Sequence, residues 1–319
     1  MDSFSAFGFR CSRLVVGTAQ LGMAYGVANT TGKPSYSHAR AIVRAAAEAG
    51  VTVLDTAAAY GDSEEVIGRI LSESAALKQS ILVVTKLSPL PGAEGMDEPE
   101  LVSRARASIE SSLEKLGLHE LPLVLFHRAE HLTIHDGLLV RLLEEYRAEG
   151  KIGALGVSVS TPAEADLAMT YPSITALQFP VNAVDHRFVT SGVLGRARSR
   201  GITVFGRSVY LQGLLSRGLE RRVPEHLSGL RPAVARFGEL ARRHGLSPCE
   251  LAMAFARAQE GVDAVVVGVE RLEQLEENLR IFSLPLPEPA IVEHVRVEIG
   301  SIPLGENLVN PACWPRPGE

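Results

Sequence analysis

The chain has 319 residues, of which 46% are hydrophobic and 22% charged, with a formal net charge of −5 and a pI near 6.0. This composition predicts a substantial folded core, arranged as one large domain or two average ones. The mild acidity argues against nucleic-acid or anionic-membrane partners, because both require a basic surface. We find no apolar run of about 18 residues, so no membrane span is expected.

The N-terminus and the cysteines indicate the compartment. The opening MDSFSAFGFRCSR lacks a basic segment followed by an apolar one, so no signal peptide is expected. Cys11, Cys249 and Cys313 are odd in number, far apart and without CxxC spacing. We therefore expect a protein of the reducing cytoplasm.

Short apolar runs alternate with helical patterns along most of the chain. The predicted strands are LVVGTA (14–19), VTVLDTA (51–57), ILVVTKL (81–87), LPLVLFH (121–127), GALGVSV (153–159), ALQFPV (176–181), ITVFGRSV (202–209) and AVVVGV (264–269). They are continuously apolar, which is typical of parallel strands buried on both faces. The segments between them carry apolar residues at i, i+3, i+4 and i+7, which predicts amphipathic helices.

Eight such units without a linker or a change of composition predict a single (β/α)8 TIM barrel. We expect one domain over residues 1–319, with a core at about 14–282, mouth loops, and a C-terminal tail at 283–319 over or beside the barrel. A doubly wound sheet is the alternative. It is disfavoured because no GxGxxG follows the first strand and because eight regular units favour closure.

Polar residues at the carboxyl ends of barrel strands are the candidates for chemistry. Asp55, Lys86 and His127 end the second, third and fourth predicted strands, and Tyr60 follows the second. Taken singly, each has an ordinary structural explanation: a cap, a solvated charge, a rim histidine and a packed aromatic ring. Together they lie at the ends of three consecutive strands, so we expect them to converge.

Such a set suits proton transfer to an oxygen coupled to hydride transfer. A phenol with a pKa near ~10 is a weak acid at neutral pH. We expect the Lys86 ammonium to lower the pKa of Tyr60 and Asp55 to hold Lys86 in place. His127 would hydrogen-bond the substrate oxygen, and Tyr60 would act as general acid or, in reverse, general base.

The motifs LVVGTAQLG, LDTAAAYGDSEEVIGRIL, VVTKL, LVLFH, KIGALGVSVS, LQFPVN, RSVYLQGLL and VVVGVERLEQLEENL resemble those of aldo-keto reductases, in order, from Leu14 to Phe282. The resemblance implies a TIM barrel that binds NADPH or NADH without a Rossmann domain and reduces an aldehyde or ketone. It implies that Tyr60 is the acid/base and that Asp55, Lys86 and His127 complete the tetrad. A monomer or homodimer is typical of the family.

The resemblance also implies a nicotinamide site. Ser158 and Gln178 match the partners of the carboxamide, although Val159 replaces the usual Asn. Arg207 stands where many relatives place a Tyr beneath the ring. Its charge would alter the cofactor potential or bind an anionic substrate group, and the alternative is a solvated or structurally paired side chain. We place Gly17 and Thr18, at the end of the first strand, in the cofactor-binding set.

Two further segments match the rest of the cofactor. Ser208, Leu211 and Gly213 match the loop that wraps the pyrophosphate. The adenosine-phosphate clamp at the last helix is matched by Gly268, Arg271, Gln274, Glu277 and Asn278. Some NADPH-dependent relatives have Lys-Ser at the start of this loop and Arg at the position of Gln274, and this chain has neither. NADPH remains the expected cofactor and NADH the alternative.

The substrate is the least defined part of the prediction. Candidate contacts are Tyr25, Asn182 and Trp314, the last either covering the pocket or packing on the barrel flank. The first loop and three arginines of the loop at 210–231 would select a polar or anionic sugar-like compound. These arginines are Arg217, Arg221 and Arg222. The series His127, His131 and His135 has the spacing of a zinc site on a helix, but its context is poor for a helix and we expect no metal.

Two other functions are compatible with the same residues. One is a nicotinamide-binding regulatory or redox-sensing subunit with little turnover. The other is an aldolase-type barrel in which Lys86 forms a Schiff base with its substrate.

Overall fold

The computed structural model describes residues 1–216 and 223–314. Its centre is a closed barrel of eight parallel strands, in the order β10-β3-β4-β5-β6-β7-β8-β9. The barrel strands are β3 (Leu14–Gly17), β4 (Val53–Asp55), β5 (Leu82–Lys86), β6 (Leu121–Phe126), β7 (Ile152–Ser158), β8 (Ile174–Pro180), β9 (Thr203–Arg207) and β10 (Ala264–Gly268). Each of the eight predicted strands corresponds to one of them, which confirms the predicted barrel.

Helices follow the barrel strands and cover the outside of the sheet. They are α1 (Ala19–Gly22), α2 (Tyr36–Glu48), α3 (Ser63–Ser72), α4 (Ala75–Ser80), α5 (Glu98–Leu116), α6 (Leu138–Ala148), α7 (Pro162–Ala168), α8 (Arg187–Thr190), α9 (Val193–Ser199), α10 (Arg231–Arg243), α11 (Pro248–Arg257), α12 (Leu272–Ser283), α13 (Pro289–Gly300) and α14 (Glu306–Val309). Short 3-10 helices lie at Ala93–Gly95, Ala129–Leu132, Ile134–Gly137, Leu211–Gly213, Glu225–Leu230 and Pro311–Cys313.

Local chemistry explains where the helices start and end. Asp97 caps α5 by accepting a hydrogen bond from the backbone N–H of Glu100, and Gly117 ends that helix in the left-handed region. Ser247 and Glu250 form a reciprocal capping box at the start of α11. Within the described residues, no helix is both long enough and apolar enough to span a membrane.

A hairpin that the sequence analysis did not predict lies on the chain before the barrel. It pairs β1 (Ser3–Ala6) with β2 (Phe9–Ser12), and its turn residues Phe7 and Gly8 both have positive φ. The ring of Phe7 stacks on that of Phe205, an inward residue of β9, with centroids 6.4 Å apart. The hairpin therefore packs against the barrel interior at the end opposite the carboxyl ends of the strands.

The predicted tail contains helices that pack on the barrel. Helix α13 contacts α10 through a hydrogen bond between the His244 and His294 rings, with the nitrogens 2.9 Å apart, and through the Arg236–Glu298 ion pair. Trp314 is 7% exposed, and its indole N–H donates to the carbonyl of Leu308 at 3.0 Å. The ring is therefore buried as part of the main hydrophobic core, and its role as a cover of the pocket stays a prediction.

Candidate active site

The parallel strands place Asp55 and Lys86 at the same end of the barrel, here called the mouth. Lys86 Nζ donates to Asp55 Oδ1 and to the Thr56 carbonyl, both at 2.8 Å. The two charged side chains are 1% and 6% exposed. Gln178 Nε2 also donates to Asp55 Oδ1 at 2.8 Å. The carboxylate thus has two donors from opposite sides of the barrel, and it does not cap a helix.

Tyr60 is held over this pair by two glycines. A Cβ on Gly22 would lie 1.9 Å from the Tyr60 carbonyl oxygen, so only glycine permits this approach. Gly61 has a φ of +58°, a conformation that glycine adopts without strain. The Tyr60 ring lies 5.0 Å from Lys86 Nζ and packs edge-on against the His127 ring, with centroids 6.0 Å apart. Asp55, Tyr60, Lys86 and His127, here called the tetrad, therefore share one small region.

The protonation of Tyr60 differs from the prediction. Burial raises the pKa of Tyr60 well above its usual value, the Asp55 carboxylate raises it further, and the charge of Arg207 opposes both. The expectation that the pKa of Tyr60 would be lowered is therefore wrong, because desolvation of the phenolate outweighs the nearby positive charge. Burial lowers the pKa of Lys86, and Asp55 opposes that change. Tyr60 is a protonated phenol at neutral pH.

His127 is a neutral imidazole in this environment. Burial, followed by the charges of Lys86 and Arg207, lowers the pKa of His127 to about 3. Its buried Nδ1 has no hydrogen-bond partner among the described residues. A neutral imidazole can donate one hydrogen bond to a ligand oxygen without adding charge to the site.

A cluster of buried hydroxyl groups supports the loop that carries Tyr60. Ser63 Oγ donates toward Thr18 Oγ1 at 2.9 Å and accepts from Thr56 at 3.0 Å. Thr18 Oγ1 donates to the Asp55 carbonyl at 2.9 Å. The hydroxyl of Thr18 is therefore engaged within the fold. Asp62 occupies the N-cap position of α3 without a side-chain capping bond.

The predicted nicotinamide residues form the opposite side of the mouth, on β7, β8 and β9. Ser158 ends β7 and is the register partner of Gln178 on β8. Gln178 is buried and bonded to Asp55. Arg207 ends β9, and its guanidinium lies 3.3 Å from the Val159 carbonyl and 3.3 Å from Ser208 Oγ.

The segment after Arg207 has an unusual backbone. Ser208, Leu211, Gln212 and Gly213 have φ values of 61°, 46°, 53° and 93°. Left-handed conformations at non-glycine residues are strained and cluster at ligand-binding loops. Ser158, Gln178, Arg207 and residues 208–213 are here called the binding wall.

Helix α12 is tied to the binding wall. The Tyr210 hydroxyl donates to Asn278 Oδ1 at 2.7 Å. Gln274 Oε1 accepts from the backbone N–H groups of Glu270 and Arg271, so this side chain caps the helix. Arg271 is exposed at the same helix start, and Glu277 is half-buried nearly two turns further along.

Two predicted glycines meet at the mouth between β3 and β10. Gly268 is the register partner of Gly17, at the ends of the two strands. A Cβ on Gly268 would lie 2.4 Å from Gln20 Oε1. A larger side chain at Gly268 would therefore collide with the Gln20 amide.

The remaining substrate candidates have different surroundings. Tyr25 is 39% exposed in the loop after α1. Burial and the Tyr60 charge raise its pKa, whereas Arg207 and Lys86 lower it, so the phenol lies close to the tetrad. Asn182 is fully buried and its Oδ1 accepts from two backbone N–H groups, while its Nδ2 has no partner among the described residues. The loop arginines of the prediction lie outside the described residues: Arg217, Arg221 and Arg222.

The three spaced histidines do not share a helix face. His131 bonds the Pro89 carbonyl from one short 3-10 helix, and His135, with a φ of 46°, bonds the Met96 carbonyl from the next. In the described part of the chain, no group of three His, Cys, Asp or Glu side chains could hold a metal ion.

Comparison with known proteins identifies the family of the chain. A solved aldo-keto reductase, AKR11C1 from Bacillus halodurans in its holo form, superposes with a TM-score of 0.74 at 20% identity, over 95% of this chain and 97% of that one. Aldo-keto reductase str7 of Strobilurus tenacellus is 28% identical over 268 residues, 78% of each chain. L-glyceraldehyde 3-phosphate reductase of Escherichia coli O157:H7 is 27% identical over 273 residues, 76% of this chain and 78% of its own. The model of the Aldo/keto reductase family matches residues 13–296, and the chain belongs to this family.

Proposed function

We propose that this protein is an NADPH-dependent carbonyl reductase in which Tyr60 donates the proton. The observation that carries the proposal is the tetrad itself, a protonated phenol held over a buried Lys86–Asp55 pair and beside a neutral imidazole. Family membership gives the reaction class, an oxidoreductase acting on carbonyl compounds. The identity of the cofactor and the roles of these residues are part of the proposal.

The residues at the mouth fit a nicotinamide dinucleotide. Ser158 offers a hydroxyl, and Gln178, whose Nε2 is engaged by Asp55, offers a carbonyl oxygen for a primary amide. The left-handed backbone at Ser208, Leu211, Gln212 and Gly213 suits a pyrophosphate. The helix start at Arg271 suits an adenosine phosphate. The bound nicotinamide supplies the hydride. NADPH is preferred over NADH because Arg271 is an exposed cation at that helix start.

The side chains at the mouth donate the proton and stabilise the developing negative charge. The carbonyl oxygen of the substrate lies against the Tyr60 hydroxyl and a His127 N–H. Tyr60 keeps its proton until negative charge develops on that oxygen, and then transfers it. The phenolate that results is stabilised by the nearby cations, Lys86 and Arg207, in a water-poor site. Asp55 keeps Lys86 charged and in place.

Replacement of Tyr60 by Phe tests the proton-transfer role. The ring remains but the hydroxyl is lost, so kcat should fall by roughly 10²–10⁴-fold. The Kd for NADPH, measured by fluorescence titration, should change less than about threefold, because the hydroxyl contacts the substrate and not the cofactor. Normal turnover by this variant on a panel of aldehydes and keto sugars would rule out the mechanism.

The same measurements separate the two other functions. Tightly held NADPH without turnover on any carbonyl would indicate a regulatory subunit. A Schiff base would be trapped by borohydride in the presence of substrate. The geometry disfavours the Schiff base, because Lys86 Nζ is buried and held by a carboxylate, whereas a nucleophilic amine must be neutral and accessible.

A further inference from the structure

Arg207 places a positive charge in the mouth, and its hydrogen bonds among the described residues go to Val159 and Ser208 and not to the tetrad. Its guanidinium is half-buried at the end of β9. Among residues 1–216 and 223–314, two neutral acceptors approach it, the Val159 carbonyl and Ser208 Oγ, both at the long distance of 3.3 Å. A guanidinium has five N–H donors in a planar fork, so most of its hydrogen-bonding capacity remains available.

The charge of Arg207 is not balanced by the nearby side chains. Within residues 1–216 and 223–314, no carboxylate lies within 4.0 Å of the guanidinium. The Asp55 carboxylate is paired with Lys86, and His127 is neutral. Together, the tetrad and Arg207 therefore carry one excess positive charge, and a partly desolvated cation without a counter-ion among the described residues is costly. A ligand that brings a negative charge would remove this cost.

The position of Arg207 relates the charge to the reacting centre. Its field reaches both phenols of the mouth, Tyr25 and Tyr60, as well as Lys86 and His127. A carbonyl compound that contacts Tyr60 therefore lies within the electrostatic range of the guanidinium. The Tyr25 phenol is influenced by the same groups and offers one more donor.

We propose that Arg207 binds an oxyanion of the carbonyl substrate, so that the preferred substrates are aldehydes or ketones that carry a carboxylate or phosphate. The inference rests on the proposed function, since it concerns the same site. The planar fork of arginine matches both groups in a bidentate manner. The phosphates of the cofactor are the other source of an oxyanion. Arg271, an exposed cation at the start of α12, is available for a cofactor phosphate, whereas the charge of Arg207 acts on the tetrad, which favours the substrate.

The test compares matched substrates in the wild-type protein and in Arg207→Met. The pairs are glyceraldehyde 3-phosphate with glyceraldehyde, and succinic semialdehyde with butanal. In the wild type, kcat/KM should be at least tenfold higher for the anionic member of each pair. The ratio should fall at least tenfold in Arg207→Met, which corresponds to about 1.4 kcal/mol, and Arg207→Lys should recover part of it. Arg243→Met, which removes an exposed charge at the end of α10, is the control and should keep the ratio.

The Kd for NADPH and calorimetric binding of glycerol 3-phosphate show whether the oxyanion belongs to the substrate or to the cofactor. If the ratio stays constant in Arg207→Met while the Kd for NADPH rises tenfold, the oxyanion belongs to the cofactor and the inference is overturned. A wild-type preference for the neutral substrates would also overturn it.

Calorimetric binding of glycerol 3-phosphate and glycerol needs no turnover. If no carbonyl is reduced but glycerol 3-phosphate still binds through Arg207, the reductase function fails and the anion site stands. If glycerol 3-phosphate binds no better than glycerol, the anion site fails whether or not carbonyls are reduced.

Discussion

The two sides of the barrel mouth are built in different ways. The tetrad is an arrangement of side chains: Asp55 accepts two bonds of 2.8 Å, and Lys86 is 1% exposed beneath the Tyr60 ring. The binding wall is largely an arrangement of backbone, with left-handed φ at Ser208, Leu211 and Gln212. Proton transfer requires groups of definite pKa at fixed distances, whereas phosphate binding requires N–H groups that point the same way.

Gln178 connects the two sides. It belongs to the binding wall by position, but its Nε2 is bonded to the Asp55 carboxylate of the tetrad. A ligand amide that engages the free oxygen of Gln178 would therefore be one residue away from the buried ion pair. The difference between the two sides predicts that side-chain changes in the tetrad affect turnover and stability, and that backbone changes in the binding wall affect affinity.

Loss of the buried ammonium should have the largest effect. Lys86→Met leaves the Asp55 carboxylate buried with Gln178 as its remaining side-chain donor, so the free energy of unfolding should fall by about 3–5 kcal/mol. Urea unfolding measures this change. Arg104→Met, which removes an exposed ion pair with Glu100, is the control and should cost less than about 1 kcal/mol. If the free energy of unfolding fell equally in the two variants, burial would not make the Lys86–Asp55 pair more important for stability than an exposed pair.

Displacement of the Tyr60 backbone should have the next largest effect. In Gly22→Ala the new methyl group meets the Tyr60 carbonyl oxygen at 1.9 Å and must push the loop away. A displacement of about 1 Å can cost roughly 10²-fold in kcat, while the Kd for NADPH should stay near the wild-type value. Gly95→Ala, where a Cβ meets no atom within 4 Å, is the matched control. An unchanged kcat in Gly22→Ala would mean that the loop position is not critical.

Some features of the fold can be predicted from the sequence, and others cannot. The barrel and the strand-end positions of Asp55, Lys86 and His127 could be predicted, because buried parallel strands are continuous apolar runs and their polar ends stand out. The hairpin was missed because its turn is Phe7-Gly8, which lacks the Asn-Gly or Asp-Gly signal that marks two-residue turns with positive φ.

Other parts of the site could not be predicted from local pattern. The Gln178–Asp55 bond joins residues far apart in sequence, so only the closed barrel brings them together. The left-handed conformations at Ser208, Leu211 and Gln212 occur at residue types that rarely adopt them, so the sequence carries no signal for them. The raised pKa of Tyr60 depends on how much burial outweighs the nearby cations, which only the three-dimensional arrangement determines.

A change in the backbone of the binding wall should affect affinity alone. Gly213 has a φ of +93°, and a Cβ there would lie 2.4 Å from Ala28 Cβ, so Gly213→Ala should strain the loop. We expect the Kd for NADPH to rise on the order of 20-fold, with kcat at saturating cofactor close to wild type. Gly32→Ala, with a φ of +74° and no atom within 4 Å, separates general strain from this contact. A lower kcat at unchanged Kd would contradict the division between the two sides.

The smallest expected effect concerns the charge state of His127. Burial lowers the pKa of His127 to about 3, below the value of about 6.5 in an unfolded chain. Between these two values the unfolded state binds a proton that the native state does not, so stability falls as the pH falls from about 6.5. Wild type should therefore lose about 1.4 kcal/mol more than His127→Gln between pH 7.5 and pH 5.5, measured by urea unfolding. His119→Gln, at an exposed position, should follow the wild type. A wild-type curve that parallels that of His127→Gln would mean that the native imidazole takes up the proton, and the tetrad would then carry two cations beside Tyr60.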